Sequence, residues 1–188
     1  MLGRAIATLD HILEGRLTLN IISSDLPGTS LSSESRYKRS DEVIQILKQG
    51  WTKEFINFKG EFYSIELPSD PVKTFQHNGG PLLYFGGYSP YGTDLCAKYC
   101  DVYLMWPEKK DELAERMKAV HSVAQDYGRT IDYGLRIHVI VRDTEAEAKE
   151  YAKEAEEILK TFPQNIYNDA LVDLTKFVFT RSNYCLLY

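Results

Sequence analysis

The chain has 188 residues, 44% of them hydrophobic, and a net charge of 22 − 27 = −5. That size suits one ordinary domain with a real core. The acidic balance argues against a general nucleic-acid or membrane-surface binder, which needs a basic patch. No run of about 18 apolar residues occurs, so nothing reads as a membrane span. The first residues, MLGRAIATLDHILEGR, lack the basic and continuously apolar regions of a signal peptide. Three cysteines carry no framework spacing. Cys96 and Cys100, four apart on a predicted helix, read as small buried residues, and a reducing, cytoplasmic setting fits them.

Residues 1–13 read as a helix with Leu2, Ala5, Ile6, Leu9, Ile12 and Leu13 on one stripe, closed by Gly15. A strand, RLTLNIIS (16–23), leads into a polar Ser/Gly/Pro loop, and SESRYKRSDEVIQILKQGW (33–51) reads as a capped helix. Two aromatic-rich runs around Lys59-Gly60 make a hairpin over 55–67. PLLYFGG (81–87) is a short strand, TDLCAKYC a helix, DVYLMWP (101–107) a strand, and KKDELAERMKAVHSVAQDYG (109–128) an amphipathic helix ending at Gly128. GLRIHVIVRDT (134–144) reads as a strand with Leu135, Ile137, Val139 and Val141 on one face, followed by a charged helix over 144–160.

That alternation implies right-handed βα units, a parallel sheet and an α/β fold. Two architectures fit, an open doubly wound sheet or part of a (β/α)8 barrel. No Gly-x-Gly-x-x-Gly follows a strand, which weighs against the dinucleotide-binding version. A whole barrel takes roughly 250 residues. Residues 161–188, TFPQNIYNDALVDLTKFVFTRSNYCLLY, fit no further clear βα unit.

The polar candidates follow from strand geometry. Opposite the apolar face of 134–144 stand Arg136 and His138. Inside a barrel such a pair reads as an anion site with a proton donor or acceptor; the alternative is an edge strand whose second face meets water. YFGGYSPYG (84–92) runs from a strand through a glycine turn into a helix, a shape that holds phosphate through backbone N–H groups, with Ser89 adding a hydroxyl. An ordinary βα turn looks the same. Asn20, Ser23 and Ser24 stand at the end of their strand, where barrels bind ligands, although caps are the commoner use of such residues. His11, His77 and His121 have no ligand spacing, and no metal is expected.

Several stretches together resemble the bacterial-luciferase-like flavin monooxygenases, most closely the alkanesulfonate monooxygenase branch. They are ATLDHILEGRLTLNIISSD (7–25), SESRYKRSDEVIQILKQGW (33–51), FKGEFYSI (58–65), PLLYFGGYS (81–89), CDVYLMWPE (100–108) and YGLRIHVIVRDTEAEA (133–148). The likeness runs over about residues 4 to 160. It implies a TIM (β/α)8 barrel that takes reduced FMN (FMNH2) from a partner flavin reductase, reacts it with O2, and cleaves the C–S bond of a sulfonate to aldehyde and sulfite. By the same resemblance Arg136 holds the sulfonate or the peroxyflavin, and His138 orients substrate or handles a proton. Flavin contacts fall on Asn20, with Ser23 or Ser24 nearby, and on Tyr37. The phosphate turn, commonly Gly-Gly-Ser-Ser in the family, falls on Gly86, Gly87, Tyr88 and Ser89. Tyr88 departs from the pattern by removing a small hydroxyl donor and adding bulk.

Matched to the family, the chain begins in the helix before the fourth strand, and the likeness ends after the seventh strand and its helix. The expectation is therefore an incomplete barrel of about strands 4 to 7 with a hairpin insertion, residues 1–160, then a divergent tail, 161–188. Three readings stay open. One is a monooxygenase whose remaining barrel comes from a partner chain or from strand exchange in a homo-oligomer. Another is a catalytically inactive remnant or interaction module. The last is a related oxidoreductase using a deazaflavin or FMN.

Overall fold

The computed structural model describes residues 1–24, 28, 30–136 and 141–161. The chain divides after Arg136 into two units, each described by itself. The first contains α1 (Leu2–Ile12), β1 (Thr18–Ile21), α2 (Ser33–Thr52), β2 (Phe55–Lys59), β3 (Ser64–Pro68), β4 (Leu82–Phe85), α3 (Pro90–Tyr99), β5 (Val102–Met105), α4 (Lys110–Asp126) and β6 (Asp132–Leu135). The second contains α5 (Glu145–Lys160). The expected α/β class and every expected helix among these residues are present. No helix among them is long and apolar enough to cross a membrane.

Helix boundaries follow local chemistry. The Ser32 hydroxyl accepts from the Ser35 N–H at the start of α2, and Ser89 accepts from Gly92 N–H ahead of α3, whose first residue is Pro90. Pro is suited to that position because its missing N–H would have no helical partner. Thr144 and Glu147 form a reciprocal capping box before α5. After α1, Gly15 adopts φ +78°, and a Cβ there would fall 2.8 Å from the Phe75 ring.

Strands β1-β4-β5-β6 form one parallel sheet in that order, and β2–β3 a separate antiparallel hairpin. The pleat sorts the parallel strands into two faces. Leu83, Phe85, Tyr103 and Met105 are buried against Ile44 and Leu47 of α2, Leu95 and Cys96 of α3, and Val120 and Ala124 of α4. The alternate positions, Thr18 and Asn20, Leu82 and Tyr84, Val102 and Leu104, Asp132 and Gly134, share the opposite face through their register. At Gly134 a Cβ would stand 2.7 Å from the end of the Leu104 side chain, which would have to shift. Cys96 and Cys100 are free thiols inside the core, as their spacing implied.

The last strand of the first unit differs from its expected bounds of 134–144. Among the described residues it runs from Asp132 to Leu135, and the Arg136 N–H extends the ladder to the Met105 carbonyl at 2.8 Å. Val141 lies outside any strand. Ile137 to Ile140 lie outside the described residues, as does the 162–188 stretch.

Three acids, two of them buried, hold connections together. The Asp101 carboxylate accepts from Leu83 N–H at 2.8 Å and from Arg129 at 3.1 Å, tying the starts of β4 and β5. Asp10 receives the backbone and side-chain N–H of Gln76. Glu42 on α2 accepts the backbone N–H groups of Glu61, Phe62 and Tyr63 at the hairpin tip. Glu42→Ala strands those three donors. The expected cost is about 2–3 kcal/mol, read as a lower denaturation midpoint.

A second prediction concerns alkaline pH. Tyr99 donates to Asp41, which also pairs with Lys98 at 2.9 Å. Burial chiefly, with the Asp41 bond adding and Lys98 opposing, pushes the Tyr99 phenol up to about 12. A raised folded pKa gives stability that is complete below the unfolded value near 10 and is lost as pH rises towards 12. Urea midpoints should therefore fall between pH 10 and 12, and less steeply in Tyr99→Phe.

Candidate functional site

The carboxyl ends of parallel strands, where loops diverge, are where α/β folds assemble chemistry. Here those ends carry Ser23 and Ser24 after β1, Gly86 to Ser89 after β4, Trp106 to Glu108 after β5, and Arg136 after β6. Asn20, Tyr84, Leu104 and Gly134 line the face below them, set by the ladder pairs Asn20 with Tyr84 and Leu104 with Gly134.

Arg136 continues the parity of Gly134, so it belongs to the face the sequence pattern assigned it. Its guanidinium lies over the Trp106 indole, 4.8 Å from the ring centroid. The indole supports the cation through its π face, while the guanidinium edge keeps its donors for an anion. Trp106 is 47% exposed, so the pair stands open at the strand ends. His138, the other expected catalytic residue, lies outside the described residues. Leu135, expected to pack towards the helices, remains 49% exposed.

Asn20 is exposed on β1, at the far edge of the sheet from β6. Three strand spacings make roughly 14 Å between those edges. Asn20 and Arg136 thus share a face and an end without touching. Ser24 is exposed, whereas the Ser23 hydroxyl oxygen is buried with no hydrogen-bond partner among the described residues.

The glycine turn is built tightly. A Cβ on Gly86 would meet the Leu104 carbonyl oxygen at 3.0 Å, and one on Gly87 would fall 2.8 Å from the Phe85 ring and 3.2 Å from the Tyr37 hydroxyl. Tyr37 stands edge-on to Phe85, ring centroids 6.0 Å apart. The Gly87 carbonyl accepts from the Tyr103 hydroxyl at 2.8 Å. Burial pushes that phenol up, and the neighbouring Arg116 opposes the shift. Ser89 uses one lone pair on Gly92 N–H, which leaves its own proton to donate. Tyr37, Gly87 and Ser89 therefore gather at the start of α3, apart from Arg136.

Tyr88 is fully engaged. Its hydroxyl accepts from the Trp106 N–H at 2.9 Å, and its ring lies 3.6 Å from the Arg116 guanidinium. Arg116 in turn grips the Glu108 carboxylate with two bonds of 3.0 Å. Sequence reasoning missed both Trp106 and this role for Tyr88. A signal existed: Trp106 closes a strand at its carboxyl end, with the parity of Leu104.

A phosphorylated cofactor suits this arrangement. The unpartnered Ser23 hydroxyl and a turn too tight for side chains, leading into a helix N-terminus, are the features that such a group uses. A separate cleft of about 500 Å³ between α2, α3 and the hairpin is lined by Glu34, Asp41, Glu61 and Asp94 beside Tyr37 and Lys38. It lies on the helix side of the sheet, and its acids repel an anion. Among the described residues no group of His, Cys, Asp or Glu is placed to hold a metal.

Comparison with known proteins gives a consistent picture. The family model described as luciferase-like monooxygenase matches residues 1–178. A sulfoquinovose monooxygenase from Agrobacterium fabrum is 60% identical over 153 residues, 81% of this chain and 40% of that protein. Another from Novosphingobium aromaticivorans is 43% identical over 159 residues, 80% of this chain and 43% of that protein. The chain thus spans about two fifths of the length of these curated relatives. Among solved structures, a long-chain alkane monooxygenase superposes with a TM-score of 0.76 at 20% identity, over 93% of this chain and 52% of that one, which shows the shared fold.

The turn itself is testable. Gly87→Ala forces its new methyl against Phe85 and Tyr37, so a cost of about 1–3 kcal/mol is expected. Differential scanning calorimetry should register a Tm lower by roughly 2–4 °C per kcal/mol.

Proposed function

Because the chain belongs to the luciferase-like monooxygenase family, we propose that it carries the sulfonate-facing wall of a reduced-flavin monooxygenase that cleaves the C–S bond of a sulfosugar, sulfoquinovose being the first substrate to try. The observation that carries this reading is the Arg136 guanidinium, spread on Trp106 at the strand ends, in a chain so similar to sulfoquinovose monooxygenases. The alkanesulfonate expectation narrows accordingly. Sulfoquinovose bears its sulfonate on a primary carbon of a hexose, so the same bond is cut in a more polar molecule.

The net reaction takes a primary sulfonate, O2 and reduced flavin to an aldehyde, bisulfite, water and oxidised flavin. Reduced FMN, delivered by a separate flavin reductase, supplies the two electrons that activate O2 when it is bound. Arg136 binds the sulfonate and neutralises the charge that grows on sulfur oxygens as sulfite leaves. The flat indole beneath it excludes water from one side and fixes the guanidinium plane. His138, two residues on, is assigned the proton taken from the sulfonate-bearing carbon. Asn20, Ser23, Ser24 and Tyr37 are assigned to the flavin, and Gly86, Gly87 and Ser89 to its phosphate. The remaining walls of a (β/α)8 barrel would come from chain outside the sheet described or from a second copy.

An anaerobic titration with reduced FMN tests the cofactor. Saturable binding is expected, followed in air by sulfite release from sulfoquinovose. Arg136→Ala should lower kcat/KM for the sulfonate at least about tenfold, as for loss of a hydrogen bond to a charged group. Folded protein that binds neither flavin nor sulfonate would leave only a non-catalytic role.

A further inference from the structure

We propose that Tyr88 is a positioning residue that sets the Trp106–Arg136 pair, acting through the β5 loop rather than by touching ligand. The proposal rests on the sulfonate reading of Arg136 for its functional consequence, but its structural half stands independently.

β5 runs to Met105. The backbone N–H of Trp106, the first residue past the strand, is a donor that must be satisfied. Tyr88 provides the acceptor, across from the neighbouring β4 loop, at 2.9 Å. A hydroxyl at the tip of a ring reaches that N–H; a serine at the same position has a side chain several ångströms shorter. The substitution that enlarges the glycine turn is thus the one that lets it hold the next loop.

The ring is itself immobilised. Arg116 of α4 lies 3.6 Å from the Tyr88 ring and makes a two-bond fork to Glu108, two residues beyond Trp106. The fork also anchors the far side of the same loop to α4. Trp106 is therefore held from both directions, by its own N–H and through Glu108. The indole so placed is the surface on which the Arg136 guanidinium lies. A planar guanidinium recognises an anion by orientation as well as charge, so tilting the indole tilts the donors. Arg136 is exposed and its N–H joins the β5–β6 ladder; among the described residues the indole is the surface that guides its side chain.

Two tryptophans make the test direct. Trp51 is 3% exposed and Trp106 47%, so acrylamide quenches chiefly Trp106 while Trp51 serves as an internal control. Tyr88→Phe deletes the hydroxyl and keeps the ring. In the unliganded full chain it should raise the quenching constant of the exposed tryptophan and leave the buried one unchanged. In the same protein the Kd for methanesulfonate, and the KM for sulfoquinovose, should rise about three- to tenfold with kcat little changed, the equivalent of one hydrogen bond lost. Reduced-FMN affinity should hold. Glu108→Gln, which weakens the fork without touching Tyr88, should move quenching and Kd in the same direction, and it replaces Tyr88→Phe if that variant does not fold. Unchanged quenching in both variants, or altered quenching with an unaltered methanesulfonate Kd, overturns the proposal. If the wild type binds no sulfonate while quenching still shifts, the sulfonate reading fails and the brace stands.

Discussion

Everything at the strand ends depends on the two-residue period of four short parallel strands. Because Leu83, Phe85, Tyr103 and Met105 are committed to the helices, the residues between them have no choice of direction. A slip of one residue would drive Tyr84 and Leu104 into the core and carry Phe85 and Tyr103 out of it. Asp101 makes that slip costly, since its carboxylate replaces a missing ladder bond at Leu83 N–H and is itself held by Arg129. The Arg129 guanidinium also caps the carbonyls of Lys98 and Cys100. A single acid and a single base thus fix the phase of β4 against β5, and β6 follows through the Asp132 N–H to the Asp101 carbonyl.

Most of the helices and strands were legible because their signals are local. Alternation in LTLNI and VYLM, capping residues opening the 33–51 helix, and Gly15 and Gly128 past helix ends each act over a few residues. The parity of Arg136 was legible for the same reason. The start of β6 was less so: the ladder with β5 begins at Asp132, two residues before the apolar alternation read in the sequence. Periodicity reports which side chains tolerate burial and is silent about the length of the neighbouring strand.

The contacts between the candidate residues were not legible. Arg136 could be picked out as a cation on a strand, yet its support, Trp106, lies thirty positions earlier and looks like any apolar strand end. Tyr88 was read as bulk in a turn that wants small residues. In the fold that bulk is turned to use, meeting Trp106 N–H and Arg116 at once. Neither contact has a sequence signature, since both join segments brought together only by the β4–β5 pairing. The acids follow the same rule. Glu42 appears as one more charge on a helix, and only the hairpin folded against it reveals why it is buried.

The sheet is fastened at one end and open at the other. Asp101 and Arg129 stitch the amino-terminal ends of the strands, whereas the carboxyl ends are joined by side chains on loops, Tyr88 and Glu108 among them. Substitutions in those loops leave the stitched end intact. The loops at the open end can change without disturbing the Asp101–Arg129 stitch that sets the register. Register and loop architecture are thereby set by separate groups of residues.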